Sequence, residues 1–238
     1  NILGEPIGRD SLNAVAWAAA VIARRDPDAV IAQVTADHVI EPVGEFVATL
    51  GQAFAIAEAD PAALVTLGVV PTFPHTGYGY LHRGDPLPGH PGAFAVEEFA
   101  EKPPREVAEA YLASGEYWWN SGMFVWRAAT VLEQLRLLLP ANHEQVTTLA
   151  AEPERLEEIF PTLFKTSVDY GIMEPVSHGQ GSAHVVAVGL AVDWKDVGGY
   201  ASLAEVLTRD AAGNAVSGTA VTLDSSGNVV VNADPAGL

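Results

Sequence analysis

The sequence contains no cysteine. Disulfides, thiolate nucleophiles, zinc–thiolate centres and iron–sulfur clusters are therefore excluded. Positive charge is scarce: 12 Lys and Arg stand against 30 Asp and Glu, for a net charge of −18. A chain this acidic does not hold a nucleic-acid backbone or an anionic leaflet by general attraction, so neither partner is expected. Long apolar runs are missing too. The stretch Ala14 to Ala23 is alanine-rich, closes at Arg24-Arg25 and is too short to cross a bilayer. No secretory leader opens the chain, and a cytoplasmic location is the expectation. The sequence starts Asn1-Ile2-Leu3 without a methionine, which suggests a piece of something longer. What is abundant is apolar surface, 49% of 238 residues, enough for the core of one large α/β domain with a small appendage.

The first 70 residues alternate. Leu12–Arg25 reads as a helix capped by Ser11 and stopped by Asp26-Pro27. Ala29–Val34 reads as a short buried strand, Phe46–Ala59 as a helix and Leu64–Val70 as a strand. Helix–strand alternation predicts an α/β fold with a mostly parallel, mixed, Rossmann-like sheet flanked by helices; a mixed α+β sheet is the competing expectation. Further strands are expected at Phe94–Phe99, Gly122–Trp126 and Val185–Val192. Helices are expected at Arg105–Leu112, with Ser114-Gly115 as its stop, and at Thr130–Leu138, with an acidic helical surface at Glu152–Ile159. Residues 1–208 are read as the α/β domain. Residues 209–238 are read as a small β tail, in which Val221–Leu223 and Val229–Val231 flank a turn as a hairpin or as the first coil of a β-solenoid. No internal repeat is apparent.

Several residues carry candidate chemistry. In open α/β sheets ligands collect beyond the carboxyl ends of strands. Asp37 and Asp196 each follow a predicted strand, and two such carboxylates can share a hard cation such as Mg²⁺; a turn or helix cap is the plainer alternative for either alone. There are three lysines, Lys102, Lys165 and Lys195, and two of them adjoin a carboxylate, in Glu101-Lys102 and Lys195-Asp196. In so acidic a protein an anionic substrate needs its counter-charge supplied locally, by such lysines or by metal; a solvated surface ion pair is the bland alternative. The glycines of Thr76-Gly77-Tyr78-Gly79-Tyr80 permit close backbone approach to a ligand, and Asn120 stands immediately before a strand, although both segments also suit plain turns. Trp17, Trp118, Trp119 and Trp126 read as packing. His38, His75 and His184 read as hydrogen-bonded structural residues. No G-x-S-x-G, H-E-x-x-H, G-x-G-x-x-G or P-loop pattern is present.

Seven stretches occur in one order: Glu5–Asp10, Ala36–Ile40, Thr76–Tyr80, Phe99–Pro103, Tyr117–Phe124, Ser167–Glu174 and Trp194–Gly198. Together they resemble the sugar-1-phosphate nucleotidyltransferases, and among these the bacterial type that joins mannose-1-phosphate to GTP. The resemblance runs to about Leu207. It implies GTP and mannose-1-phosphate as partners, Mg²⁺ as cofactor, and GDP-mannose and pyrophosphate as products. By the same resemblance Asp37 and Asp196 would carry the metal. Lys102 would meet the sugar phosphate and Glu101 the sugar hydroxyls. Gly79, Tyr78, Asn120 and Asp169 would line the sugar site. Glu5, Arg9 and Ser11 would lie near the nucleotide. The family's opening loop, G-G-x-G-x-R-L-x-P, is not in this sequence and is expected upstream of Asn1, so these 238 residues alone are not expected to turn over. Arg9-Asp10-Ser11-Leu12-Asn13 stands where many relatives have Arg-Asn-Thr-Ala-Pro, and Thr35 where they often have proline. A sister enzyme using UTP or dTTP with a glucose-type sugar, and a non-catalytic nucleotide-sugar-binding subunit, remain as alternatives. A homodimer fits the β tail and the apolar surface.

Overall fold

The structure is a computed structural model that describes residues 2–234; residues 1 and 235–238, the ends of the two predicted domains, lie outside the described residues. Two compact units are present. Unit 1 comprises residues 1–34 and 44–191, and unit 2 comprises residues 35–43 and 192–238.

Unit 1 is built on a six-stranded sheet. Its strands are β1 (Val30–Gln33), β3 (Ala63–Val69), β4 (Gly79–Pro86), β5 (Ala93–Ala100), β6 (Tyr117–Arg127) and β7 (His184–Gly189), in the spatial order β1-β6-β3-β7-β5-β4. The mixed sheet flanked by helices is the expected α/β architecture. Its parallel character is diluted, however. β1, β3, β7 and β4 share a direction, but β6 and β5 run against them, so among the described residues β3–β7 is the one parallel pairing of this sheet. Helix–strand alternation fixes the direction in which a strand returns, not which strand lies beside it; β6 occupies the place between β1 and β3.

β3 shows why the sheet is central. All seven of its residues are buried, matching a near-continuous apolar run covered on both faces. Its only polar side chain is Thr66. β1 is less protected than expected, with all four residues half-buried. β4 starts inside a segment that reads as a turn, because glycine and tyrosine alternate there without a long apolar run.

One face of the sheet is covered by α1 (Asp10–Ala23), α4 (Ala128–Leu138) and α5 (Pro140–Ala151), which pack on one another. Leu12, Ala16, Trp17, Ala19 and Ala20 form the buried stripe of α1 within a core that includes Phe124, Trp126 and Phe160. The expected Ser11 cap is not made: Ser11 Oγ accepts a hydrogen bond from the Val168 N–H at 3.0 Å instead. α2 spans Val43–Ala59 and α3 spans Arg105–Ser114, the latter ended by Gly115 at φ 71° as its sequence predicts. The acidic stretch after α5 is a 3₁₀ turn at Pro153–Arg155 and the short α6 (Leu156–Ile159). All four tryptophans assigned to packing are at most 8% exposed.

Unit 2 contains a ribbon of β2 (His38–Glu41) and β8 (Asp193–Asp196), followed by α8 (Tyr200–Val206). The expected strand at Val185–Val192 therefore ends early, as β7, and Trp194–Asp196 belongs to a second strand. The tail is not a hairpin. β9 (Ala215–Ser217) and β10 (Val229–Val231) pair in parallel, while Val221–Leu223 lies outside any strand. The expectation of no repeat is also corrected. Asp210-x-x-Gly213-Asn214-x-Val216 recurs 14 residues later as Asp224-x-x-Gly227-Asn228-x-Val230. Both glycines have positive φ, 80° and 68°. Buried Asn214 accepts from both the backbone N–H and the side-chain Nδ2 of Asn228, each at 3.0 Å, so equivalent asparagines stack. Two copies with different residues between the matched positions leave little sequence signal.

Candidate functional site

In unit 1 the polar side chains gather where β3, β4 and β6 meet. Asn120 on β6 faces Gly68 of β3 on one side and Gly79 of β4 on the other. Between the Thr66–Phe124 and Gly68–Asn120 pairs the register slips, and Gly122 takes φ 71°. Such a bulge re-aims side chains. It lets Asn120 Oδ1 accept from the Gly122 N–H at 3.2 Å and from Thr66 Oγ1 at 2.9 Å. The amide orientation is thereby set, and Asn120 Nδ2 donates to Asp169 Oδ1 at 2.9 Å. Thr66 was not singled out by the sequence; a lone threonine in an apolar strand is the signal that could have found it.

Asp169 begins a π-helical turn, Asp169–Met173, that leads into α7 (Glu174–Ser177). π-turns are rare and concentrate at functional sites. Burial raises the Asp169 carboxyl above its ordinary range; its own backbone N–H, Lys102, Asn120 and Ser167 oppose that rise. Glu101 is the second buried carboxylate, with its side chain 5% exposed. Burial raises it first, the Asp169 charge adds to the rise, and Lys102 pulls the other way. Lys102 Nζ lies 2.6 Å from Glu101 Oε1, and this bond raises the lysine in turn. The Lys102 backbone is held at φ 49°, its N–H donating to Tyr78 O at 3.2 Å. A left-handed lysine is strain that the surrounding structure must impose.

Glu101 Oε2 is buried and has no hydrogen-bond partner. It faces Gly79, where an added Cβ would meet that oxygen at 2.5 Å and Asn120 Cβ at 3.2 Å. An orphaned buried acceptor costs about 1–3 kcal/mol unless a donor is supplied. Gly79 packs directly against that oxygen, and a side chain larger than hydrogen there would displace the carboxylate. Tyr78 lies beside it, stacked on His75 at 3.8 Å between ring centroids and edge-on to Trp119 at 5.3 Å. Thus Gly79, Glu101, Lys102, Asn120 and Asp169 are brought together, with Tyr78 adjoining Lys102.

The three residues expected near the nucleotide are placed less tightly. Glu5 is exposed before α1. Arg9 is half-buried with its Nε lacking a partner, and its carbonyl accepts from Asn13 Nδ2 at 3.0 Å. Ser11 and Leu12 hold the loop before Asp169 through Val168 N–H and Thr166 O.

Unit 2 carries the other cluster. The β2–β8 register sets His38 opposite Asp196, and the Val197 N–H donates to Asp37 O at 2.9 Å. Ligand atoms of Asp37, His38 and Asp196 all lie within 4.8 Å of one another. Two carboxylates with oxygen donors match a hard divalent cation. An added Cβ at Gly198 would crowd Asp196 Oδ1 at 3.2 Å and touch Asp37 Oδ2 at an ordinary 3.6 Å. His38 is hydrogen-bonded, as expected, but it also belongs to this cluster. Its Nδ1 accepts from the Trp194 indole at 3.1 Å, and burial lowers its pKa against the pull of Asp196 and Asp37. β2 has four residues and a partner more than 150 residues away, so the sequence does not announce the strand that brings His38 here. Lys195 does not pair with Asp196; its Nζ binds Asp193 on the same strand.

No helix among the described residues is long and apolar enough to cross a membrane. The nucleotidyl transferase family model matches residues 1–213. A mannose-1-phosphate guanylyltransferase of Klebsiella pneumoniae is 41% identical over 98% of this chain and 50% of its own length. One of Escherichia coli (strain K12) is 40% identical over 93% of this chain and 47% of its own length. The chain spans about half the length of these curated relatives. A solved structure from Thermus thermophilus, described as a mannose-1-phosphate geranyltransferase, superposes with a TM-score of 0.79 at 33% identity, over 97% of this chain and 67% of that one. With the mixed sheet, the bulge at Asn120 and the paired aspartates already described, these matches identify the chain as a member of the nucleotidyl transferase family.

Proposed function

We propose that this chain provides the sugar site and the cation ligands of a mannose-1-phosphate guanylyltransferase. The reaction is attack by a phosphate oxygen of mannose-1-phosphate on the α-phosphorus of GTP. A new P–O bond forms, the bond to the β-phosphate breaks, and GDP-mannose and pyrophosphate result. Glu101 Oε2 is the observation that carries the sugar half: a buried acceptor without a hydrogen-bond partner, packed against Gly79, that a sugar hydroxyl would complete on binding. Asp169 accepts a second hydroxyl, and its partner Asn120 keeps that carboxylate in place. Lys102 offers its ammonium to the sugar phosphate while anchored on Glu101. Asp37 and Asp196 hold Mg²⁺, which when bound neutralises phosphate charge and aligns the leaving group. Glu5, Arg9 and Ser11 serve the nucleotide. No side chain acts as a nucleophile, so catalysis is positioning and charge neutralisation.

The names of the curated relatives support mannose and guanine over other sugars and bases. Calorimetric titration of the chain with GDP-mannose, UDP-glucose and dTDP-glucose in Mg²⁺ tests this. GDP-mannose should bind at least about tenfold more tightly, a difference of about 1.4 kcal/mol. Tighter binding of UDP-glucose would overturn the assignment.

A further inference from the structure

The cluster at Asp37, His38 and Asp196 looks at first like a three-ligand metal site with one nitrogen donor. The hydrogen-bond chemistry of Trp194 contradicts that. An indole nitrogen carries a proton and no available lone pair, so it donates only. Trp194 Nε1 lies 3.1 Å from His38 Nδ1, and the two rings meet edge-on at 84° with centroids 5.1 Å apart. His38 Nδ1 must therefore accept, and its lone pair is used. A neutral imidazole that accepts at Nδ1 carries its proton on Nε2. Whichever ring nitrogen a cation approached, it would find either a lone pair already engaged or an N–H. The β2–β8 ladder makes this arrangement local and fixed. His38 is directly opposite Asp196, and Trp194 is two residues before Asp196 on the same strand and the same face.

We propose that Trp194 holds His38 in the tautomer protonated on Nε2, so that His38 offers a cation no free lone pair and the cation is held by the oxygens of Asp37 and Asp196 alone. The inference rests on the reading of Asp37 and Asp196 as cation ligands. It assigns a selectivity role to two residues that touch no reacting atom. An oxygen-only set suits Mg²⁺ and Mn²⁺, whereas zinc gains most from an imidazole nitrogen, which this tautomer withholds. Removing the indole donor frees Nδ1 to carry the proton and exposes the Nε2 lone pair.

Long-range ¹H–¹⁵N spectra of the histidine rings read the tautomer without any turnover. His38, assigned by loss of its signals in H38Q, should show the Nε2–H pattern in the wild-type chain. In Trp194→Phe, which keeps a ring against the imidazole edge, the Nδ1–H form should appear. Zn²⁺ affinity should then rise about tenfold or more, the scale of a lost outer-shell partner, while Mg²⁺ affinity changes by less than about twofold. The gain should vanish in the W194F/H38Q double variant. A wild-type His38 protonated on Nδ1 would overturn the proposal even if W194F failed to fold. So would a folded W194F with unchanged zinc affinity. Mg²⁺ titration followed at the Asp37 and Asp196 carboxyl carbons separates the two layers: no response there defeats the cation reading, whereas a response together with an Nδ1–H histidine defeats only the tautomer assignment.

Discussion

At the scale of single residues, two buried carboxylates set the character of unit 1. Asp169 and Glu101 both have pKa values raised above the ordinary range, chiefly by burial. A group protonated more readily in the folded state than in the unfolded state stabilises the fold fully below its unfolded pKa. That contribution is lost as pH rises through the folded value. At neutral pH these carboxylates therefore cost stability. Asp169→Asn should melt at a higher temperature than wild type at pH 7, with the advantage shrinking as pH falls from neutral toward about 4, and it should bind mannose-1-phosphate more weakly; thermal scans across pH and calorimetry check both halves. A melting temperature that falls at pH 7 and stays lower at about pH 4 would show that the Asn120 bond outweighs the burial cost. Gly79→Ala is a sharper probe. Its Cβ would lie 2.5 Å from Glu101 Oε2, so one methyl group pushes that carboxylate off its position. Sugar-phosphate affinity should drop by about tenfold or more, about 1.4 kcal/mol, with circular dichroism unchanged.

At the scale of elements, what could be read from the sequence depended on how local the cause was. α3 and its stop at Gly115 are legible because a left-handed cap needs only one residue type. β3 is legible as an apolar run. The same run hides Thr66, whose role appears only when β6 bulges and turns the Asn120 amide toward it. β2 and β8 are illegible as a pair because each is four residues long and their register is decided by contacts across the chain. The sequence offers Asp37 and Asp196 as candidates, and the structure brings them within 4.8 Å through strands that the sequence does not announce. Gly115→Ala should cost about 1 kcal/mol, since nothing lies within 4 Å of its added Cβ and the penalty is the left-handed backbone alone. Denaturant unfolding measures it. In unit 2, Asn214→Ala removes the acceptor for Asn228 and a donor to Asp210 and Ser225. Leaving those groups unpaired should cost about 1–3 kcal/mol locally, visible as faster amide exchange at Ala215 and Asn232, whose N–H groups join β9 to the second repeat.

At the scale of the whole molecule, charge dominates. A net charge of −18 repels itself and repels anionic substrates, while it concentrates divalent cations near exposed Asp37. Raising sodium chloride from about 10 to 150 mM shortens the screening length from about 30 to 8 Å. Melting temperature should rise over that range, and association of mannose-1-phosphate should quicken rather than slow. A basic substrate-binding surface would give the opposite salt dependence. Length, composition and the seven ordered stretches were enough to anticipate the family and its mixed sheet. They could not anticipate that β6 and β5 would intervene among the strands that share a direction, nor that the tail would repeat.

The most direct test of the account is a crystal of the chain grown with GDP-mannose and Mn²⁺ and measured at the manganese edge. The account predicts one anomalous peak bonded to an oxygen of Asp37 and to an oxygen of Asp196, with no bond to His38. A peak elsewhere, or none at those carboxylates, would contradict it.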